Sequence, residues 1–133
     1  MSKAVLGVLC SGRGTNLQSI IAAVESGQIA AEIALVLTDK PEAKALERAE
    51  EAGIPRVCID RKACADKQEF EEKIVAELKK AGVTLVVLAG FMRILSPYFV
   101  RKFQGRILNI HPSLLPSFGV AHAHRDVLAY GVK

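Results

Sequence analysis

Short apolar runs recur along the chain, each followed by a stretch with apolar residues at helical spacing and then a glycine. Parallel β-α-β units require that alternation, because a strand buried on both faces reads as a continuous aliphatic run and its crossover helix buries one stripe. Residues 4–10 predict the first strand, and residues 17–26 a helix closed by Gly27. Residues 32–37 predict the second strand. Pro41 and Glu42 predict the start of a helix that runs to Ala52 and stops at Gly53, before a short third strand over 56–59. Phe70, Ile74, Val75 and Leu78 fall on one face of a longer helix that Gly82 ends, with charged residues covering the other face. Residues 84–89 predict the fourth strand. Ser96 and Pro97 read as an N-cap and a first helical residue, giving a short helix to about 103 and a fifth strand over 106–110. The expected architecture is therefore α/β, an open, mostly parallel sheet with helices on both faces. No repeats or low-complexity segments appear.

Composition narrows the class. With 133 residues, 50% of them hydrophobic and 5% aromatic, the chain reads as one domain with an aliphatic core. Such a length buries roughly two thirds of the surface its unfolded chain exposes, so the fold needs no disulfide or structural metal. Cys10, Cys58 and Cys64 form an odd set with no C-x-x-C pair, which argues against a secreted disulfide scaffold and against a zinc site, and fits a reducing cytoplasm. The apolar run after Lys3 is too short to span a bilayer and lacks a small-residue cleavage site, so neither export nor a membrane partner is expected. The formal charge is +4, but the cations are dispersed and interleaved with Glu, as in Glu42, Lys44, Glu47, Arg48 and Glu50. That is a solvated helix face rather than a nucleic-acid stripe, and the small basic excess suits small anionic ligands.

In an open parallel sheet, ligands bind beyond the carboxyl ends of the strands. Three unusual segments lie there. Ser11-Gly12-Arg13-Gly14-Thr15-Asn16 joins a strand to a helix, and its glycines let several N–H groups and the helix dipole face one anion. Leu17 stands where a dinucleotide fingerprint has its third glycine, the G-K-[ST] ending of a P-loop is absent, and Asp39 only partly matches a ribose-binding acid. The plainer alternative is a tight turn with Thr15 or Asn16 as N-cap. Asn109 and His111 lie two positions apart, on one face of a strand end, and Pro112 stops the ladder. Both can donate to an oxyanion forming on a carbonyl, and the imidazole can move a proton; the alternative is a buried His satisfying a neighbouring carbonyl. His122 and His124 could join His111 around zinc, but no further ligand stands at the right spacing, and no metal is expected. Cys10 beside the glycine turn is either a nucleophile or, given its apolar neighbours, an inert buried thiol. Phe91, Met92, Ile94 and Leu95 are either core or the wall of a pocket for a flat ligand.

Taken together, Ser11 to Gln18, Leu88-Ala89-Gly90-Phe91-Met92-Arg93-Ile94-Leu95-Ser96 and Leu108-Asn109-Ile110-His111-Pro112-Ser113-Leu114-Leu115-Pro116 resemble the phosphoribosylglycinamide formyltransferases, the folate-dependent transformylases of purine biosynthesis. The resemblance covers essentially the whole chain in order. It implies a Rossmann-like fold and formyl transfer from 10-formyltetrahydrofolate, the co-substrate, to the amine of phosphoribosylglycinamide. By resemblance, Gly14, Thr15 and Asn16 hold the ribose-phosphate; Met92, Arg93, Ile94 and Leu95 line the pterin pocket; Lys67 stands where the family has a basic residue near the folate. Asn109 and His111 would act on the tetrahedral intermediate, with Asn109 also at the folate. The expected organisation is a single domain over 1–133, with a phosphate-binding half to about 90 and the start of a folate and catalytic half from about 91. The expected partners are small molecules. Transfer-RNA formyltransferases, formyltetrahydrofolate hydrolases and a non-catalytic phosphate-binding module are the alternatives. Two departures stand out. The family continues past the point matching Lys133, where an aspartate normally pairs with the His and keeps it charged, so the chain reads as truncated. Val120 stands where the family usually has glycine, which strains the loop if that position needs a positive φ.

Overall fold

A computed structural model of the chain describes residues 4–12 and 14–110. Strands and helices alternate: β1 (Ala4–Cys10), α1 (Thr15–Glu25), β2 (Ala31–Thr38), α2 (Lys44–Glu51), β3 (Arg56–Cys58), α3 (Lys67–Lys80), β4 (Leu85–Ala89), α4 (Pro97–Lys102) and β5 (Ile107–Ile110). The strands form one sheet in the order β3-β2-β1-β4-β5, and every neighbouring pair is parallel. This is the expected Rossmann-like open sheet.

Side-chain alternation along each strand divides the core into two layers. Leu6, Val8 and Cys10 of β1, Val36 of β2, Val87 of β4 and Leu108 of β5 pack with Leu17, Ile20 and Ile21 of α1 and Ala45 and Ala49 of α2. Leu9, Leu35, Leu37, Val86 and Ile107 point the other way and meet Phe70, Ile74 and Leu78 of α3 and Phe99 of α4. Both faces are thus covered, which is why these strands are aliphatic at nearly every position. Asn109, two residues on from Ile107, falls on the α3 and α4 side.

Several boundaries differ from the expected ones. α1 begins at Thr15, two residues early, because Gly14 takes the N-cap in the left-handed region at φ 77°. α2 begins at Lys44 rather than at Pro41. Pro41 and Glu42 instead form a turn closed by Ala43 N–H donating to the Lys40 carbonyl, and extended Ala43 carries the chain into the core. β3 ends at Cys58, and a 3-10 turn over Arg61–Ala63 follows that hydrophobic periodicity could not show. Asp60 caps that turn, accepting from Lys62 N–H at 3.0 Å. α3 carries the expected apolar stripe, but Glu71 is buried with it rather than on the charged face.

Gly7 sits where β1 passes under α3. A Cβ there would lie 2.5 Å from Leu78 Cδ2 and 2.9 Å from Val83 Cγ2. Only the missing side chain permits that approach, which seats α3 on the sheet. Gly7→Ala is expected to lower the unfolding free energy by about 1–3 kcal/mol, the usual cost of overpacking. Equilibrium urea unfolding measures it; unchanged stability would show that α3 has room to move.

Candidate functional site

Chain connections run from β1 outward to β2 and β3 in one direction, and from β4 to β5 in the other, so β1 and β4 flank the point where strand order reverses. A crevice opens at the carboxyl ends of such strands, since their two loops leave toward opposite faces. The glycine turn follows β1 and the segment 90–96 follows β4. Met92 N–H donates to Ser11 Oγ at 2.9 Å across this gap. A Cβ on Gly90, whose φ is 76°, would lie 3.8 Å from Asn16 Nδ2, so the Asn16 amide faces the start of the second loop. Asn109 lies one strand further on, in register with Leu88 of β4.

The turn itself is set by packing. Gly14 lies against α2, where a Cβ would be 2.9 Å from Ala45 Cα and 3.1 Å from Arg48 Cδ. Neither Thr15 nor Asn16 caps α1. Gly14 has no side chain to accept from the first turn, and that turn carries no acidic residue. The plainer reading, a side-chain-capped tight turn, is therefore not what forms. N–H groups at a helix start with neither a cap nor a carboxylate are donors suited to an anion.

Segment 90–96 is pinned from beneath by polar groups. Asp39, just past β2, has a side chain only 1% exposed, and Arg93 Nε donates to its Oδ2 at 2.5 Å. The Arg93 guanidinium carbon also stands 5.4 Å from the Phe70 ring centroid. Asp39 is thus the anchor of this loop, whereas the sequence suggested a partial ribose-binding acid. Glu71 accepts from Ser96 N–H at 2.8 Å and from the Ser96 hydroxyl. Ser96 occupies the N-cap of α4 as expected, yet its hydroxyl makes no cap bond. With the loop so held, Met92 and Ile94 project outward, 78% and 83% exposed.

A cleft of about 300 Å³ lies beside them, lined by Lys67, Phe70, Met92, Arg93 and Ile94 together with Glu71 and Arg61. The structure therefore brings Lys67, Met92, Arg93 and Ile94 together. Leu95 is not on the cleft; it packs against the core layer of α3 and α4. The sequence did not point to Arg61 or Glu71 as parts of this region, nor to the contacts by which Ser11 and Asp39 hold the 90–96 loop. Asp60 ahead of Arg61 was an available N-cap signal, but nothing in the pattern marked Glu71. His111, His122, His124 and Val120 lie outside the described residues.

Cys10 is buried at the end of β1, and its thiol is pushed up to about 12, first by burial and then by the Asp39 charge. A thiol so poised stays protonated at neutral pH and is no nucleophile.

The chain matches the formyl transferase family model over residues 4–133. It belongs to that family. It is 48% identical over 132 residues to the trifunctional purine biosynthetic protein adenosine-3 of Gallus gallus, a match covering 99% of this chain and 13% of that protein. It is 44% identical over 126 residues to the phosphoribosylglycinamide formyltransferase of Haemophilus influenzae, covering 95% of this chain and 59% of that one. The crystal structure of glycinamide ribonucleotide transformylase 1 from Symbiobacterium toebii superposes with a TM-score of 0.80 at 42% identity, over 98% of this chain and 62% of that one. The chain thus spans about three fifths of the single-function relatives. Among the described residues no helix is long and apolar enough to cross a membrane.

Two outcomes are expected. Glu71→Ala leaves Ser96 N–H and its hydroxyl without their acceptor, so stability falls by about 2–3 kcal/mol and Ser96 amide hydrogen exchange accelerates; unchanged exchange would show that the loop is held otherwise. For Cys10, the folded thiol keeps its proton between the ordinary value of 9.0 and about 12, where the unfolded thiol has lost it. Its contribution is complete below pH 9 and is lost as pH rises through that window. Unfolding free energy between pH 8 and 10.5 is expected to fall more steeply in the wild type than in Cys10→Ala, by up to ~1.4 kcal/mol per pH unit. Parallel slopes would remove Cys10 from the alkaline response.

Proposed function

We propose that this chain carries the phosphate site, and much of the folate site, of an enzyme that transfers a formyl group from 10-formyltetrahydrofolate to the amine of phosphoribosylglycinamide in purine biosynthesis. The observation that carries this reading is the Met92 to Ser11 hydrogen bond, which joins the glycine turn and the 90–96 loop at the switch point. The Haemophilus influenzae and Symbiobacterium toebii relatives bear glycinamide ribonucleotide formyl transfer in their names, and the glycine turn, the 90–96 segment and Asn109 all lie at the carboxyl ends of neighbouring strands, which supports the reading.

Gly14, Thr15 and Asn16 offer the ribotide phosphate the uncapped start of α1, where backbone donors and the positive end of the dipole coincide. The cleft suits the other substrate: Phe70, Met92 and Ile94 give it apolar walls for a flat ring, and Lys67 gives a cation for an anionic end. Arg93, held by Asp39, shapes the wall, and Leu95 supports it from the core side. Bound 10-formyltetrahydrofolate supplies the formyl carbonyl. Asn109, at the end of β5, donates its amide N–H to the formyl oxygen as negative charge builds there during attack by the amine. His111 follows as second donor and proton carrier. The protein's partners are these small molecules, with no role for a metal, nucleic acid or membrane, and its place is the cytoplasm.

Thr15→Glu separates phosphate binding from folding. A carboxylate in the first turn of a helix favours the dipole, so stability is held or slightly raised, while a bound phosphate is repelled. Affinity for phosphoribosylglycinamide by calorimetry is expected to drop at least about tenfold, the scale of one lost charge-assisted contact, with Tm unchanged or higher. Wild-type affinity in Thr15→Glu would show that the phosphate does not sit at this helix start.

A further inference from the structure

Arg61 faces the same cleft as Lys67, from a different element. It opens the 3-10 turn after β3, whereas Lys67 opens α3. Asp60 fixes that turn by capping it, and Arg61 Nη1 reaches back to the Cys64 carbonyl at 3.5 Å, so the guanidinium is held close to the turn. Among the described residues, neither Arg61 nor Lys67 has a carboxylate within ion-pair distance. The third cation of the cleft, Arg93, is spent on Asp39, and the cleft's carboxylate, Glu71, is occupied by Ser96. Among the described residues, Arg61 and Lys67 are therefore two cations of the cleft without a carboxylate partner, beside the apolar side chains of Phe70, Met92 and Ile94.

One cation suffices to hold a single carboxylate; two on separate elements match a ligand whose end carries two. On the reading of this cleft as the folate site, the tail of that ligand is a glutamate, which bears an α- and a γ-carboxylate. We propose that Arg61 is a second tail-binding residue, and that Arg61 and Lys67 each take one carboxylate, so that the cleft selects a dianionic tail over a monoanionic one. The planar guanidinium suits a bidentate contact, and the ammonium of Lys67 acts as a point charge.

Ligand and protein changes made together test the pairing. The probes are 10-formylfolate and its α- and γ-monoamides, titrated by calorimetry into wild type, Arg61→Ala, Arg61→Lys and Lys67→Ala. Arg61→Ala is expected to weaken 10-formylfolate about five- to tenfold, the scale of one partly exposed charge-assisted contact, and to leave one monoamide bound as in wild type. Lys67→Ala should show the complementary pattern and spare the other monoamide. Arg61→Lys should recover most of the loss, which a merely structural role in the turn would not allow. Unchanged binding of 10-formylfolate in Arg61→Ala, or equal losses for both monoamides, overturns the assignment while leaving the folate site standing. Failure of the wild type to bind any of the three probes overturns the folate reading itself, and the assignment with it.

Discussion

A carboxylate with 1% of its side chain exposed cannot stand without a cation, and Asp39 gets its cation from a loop two strands away. Removing one partner of such a pair costs about 3–5 kcal/mol where both are buried, and less here because Arg93 keeps 35% of its side chain in water. Even discounted, the pair is strong enough to fix a loop that has no regular structure of its own. It sets the course of residues 91–95 over the end of the sheet. Ser11 and Glu71 then complete the fixation at either end, through Met92 N–H and through Ser96.

The parallel sheet explains why these anchors can come from three elements. All five strands deliver their carboxyl ends to one edge, so the residues just past β1 and β2, Ser11 and Asp39, arrive beside the loop that follows β4. Small residues then control how closely the layers approach. Gly7 lets α3 settle on β1, and Gly14 lets α2 press its Ala45 against the turn before α1. Bulk at either position would move a helix, and with it Glu71 in one case or the uncapped turn in the other.

Element order and both layers of the core were legible in the sequence because each strand is aliphatic and each helix keeps its stripe. Leu6, Leu9, Phe70 and Ile74 all lie where periodicity puts them. The glycine turn and the 90–96 segment were legible as strand-end loops, whereas Lys67 was marked only by the family resemblance, as a basic residue near the folate. What stayed hidden depends on contacts between residues far apart in the chain. Asp39 to Arg93 spans 54 positions and Ser11 to Met92 spans 81, and no local pattern encodes either. Glu71 hid for a second reason: a Glu within a charged helix looks like a solvated one, and only its approach to Ser96 accounts for its burial. Pro41 misled because it suits a turn as well as it suits a first helical position.

Part of the loop over the cleft inverts the usual arrangement of a surface segment. Its polar groups, Arg93 and the Ser96 hydroxyl, turn inward to buried carboxylates; Phe91 and Leu95 pack against the core, while Met92 and Ile94 face water. Exposing two large aliphatic side chains gains nothing for folding, since burying each would contribute about 1.5–3 kcal/mol. The inward ionic and hydrogen bonds offset that loss and hold the apolar pair out against the cleft. A loop folded for stability alone would pack Met92 and Ile94 against the core as it does Phe91 and Leu95. On the proposed folate reading, a flat ligand covers that surface in the working state, with Arg61 and Lys67 at its charged end, which is what buried carboxylates committed to presenting an apolar surface would serve.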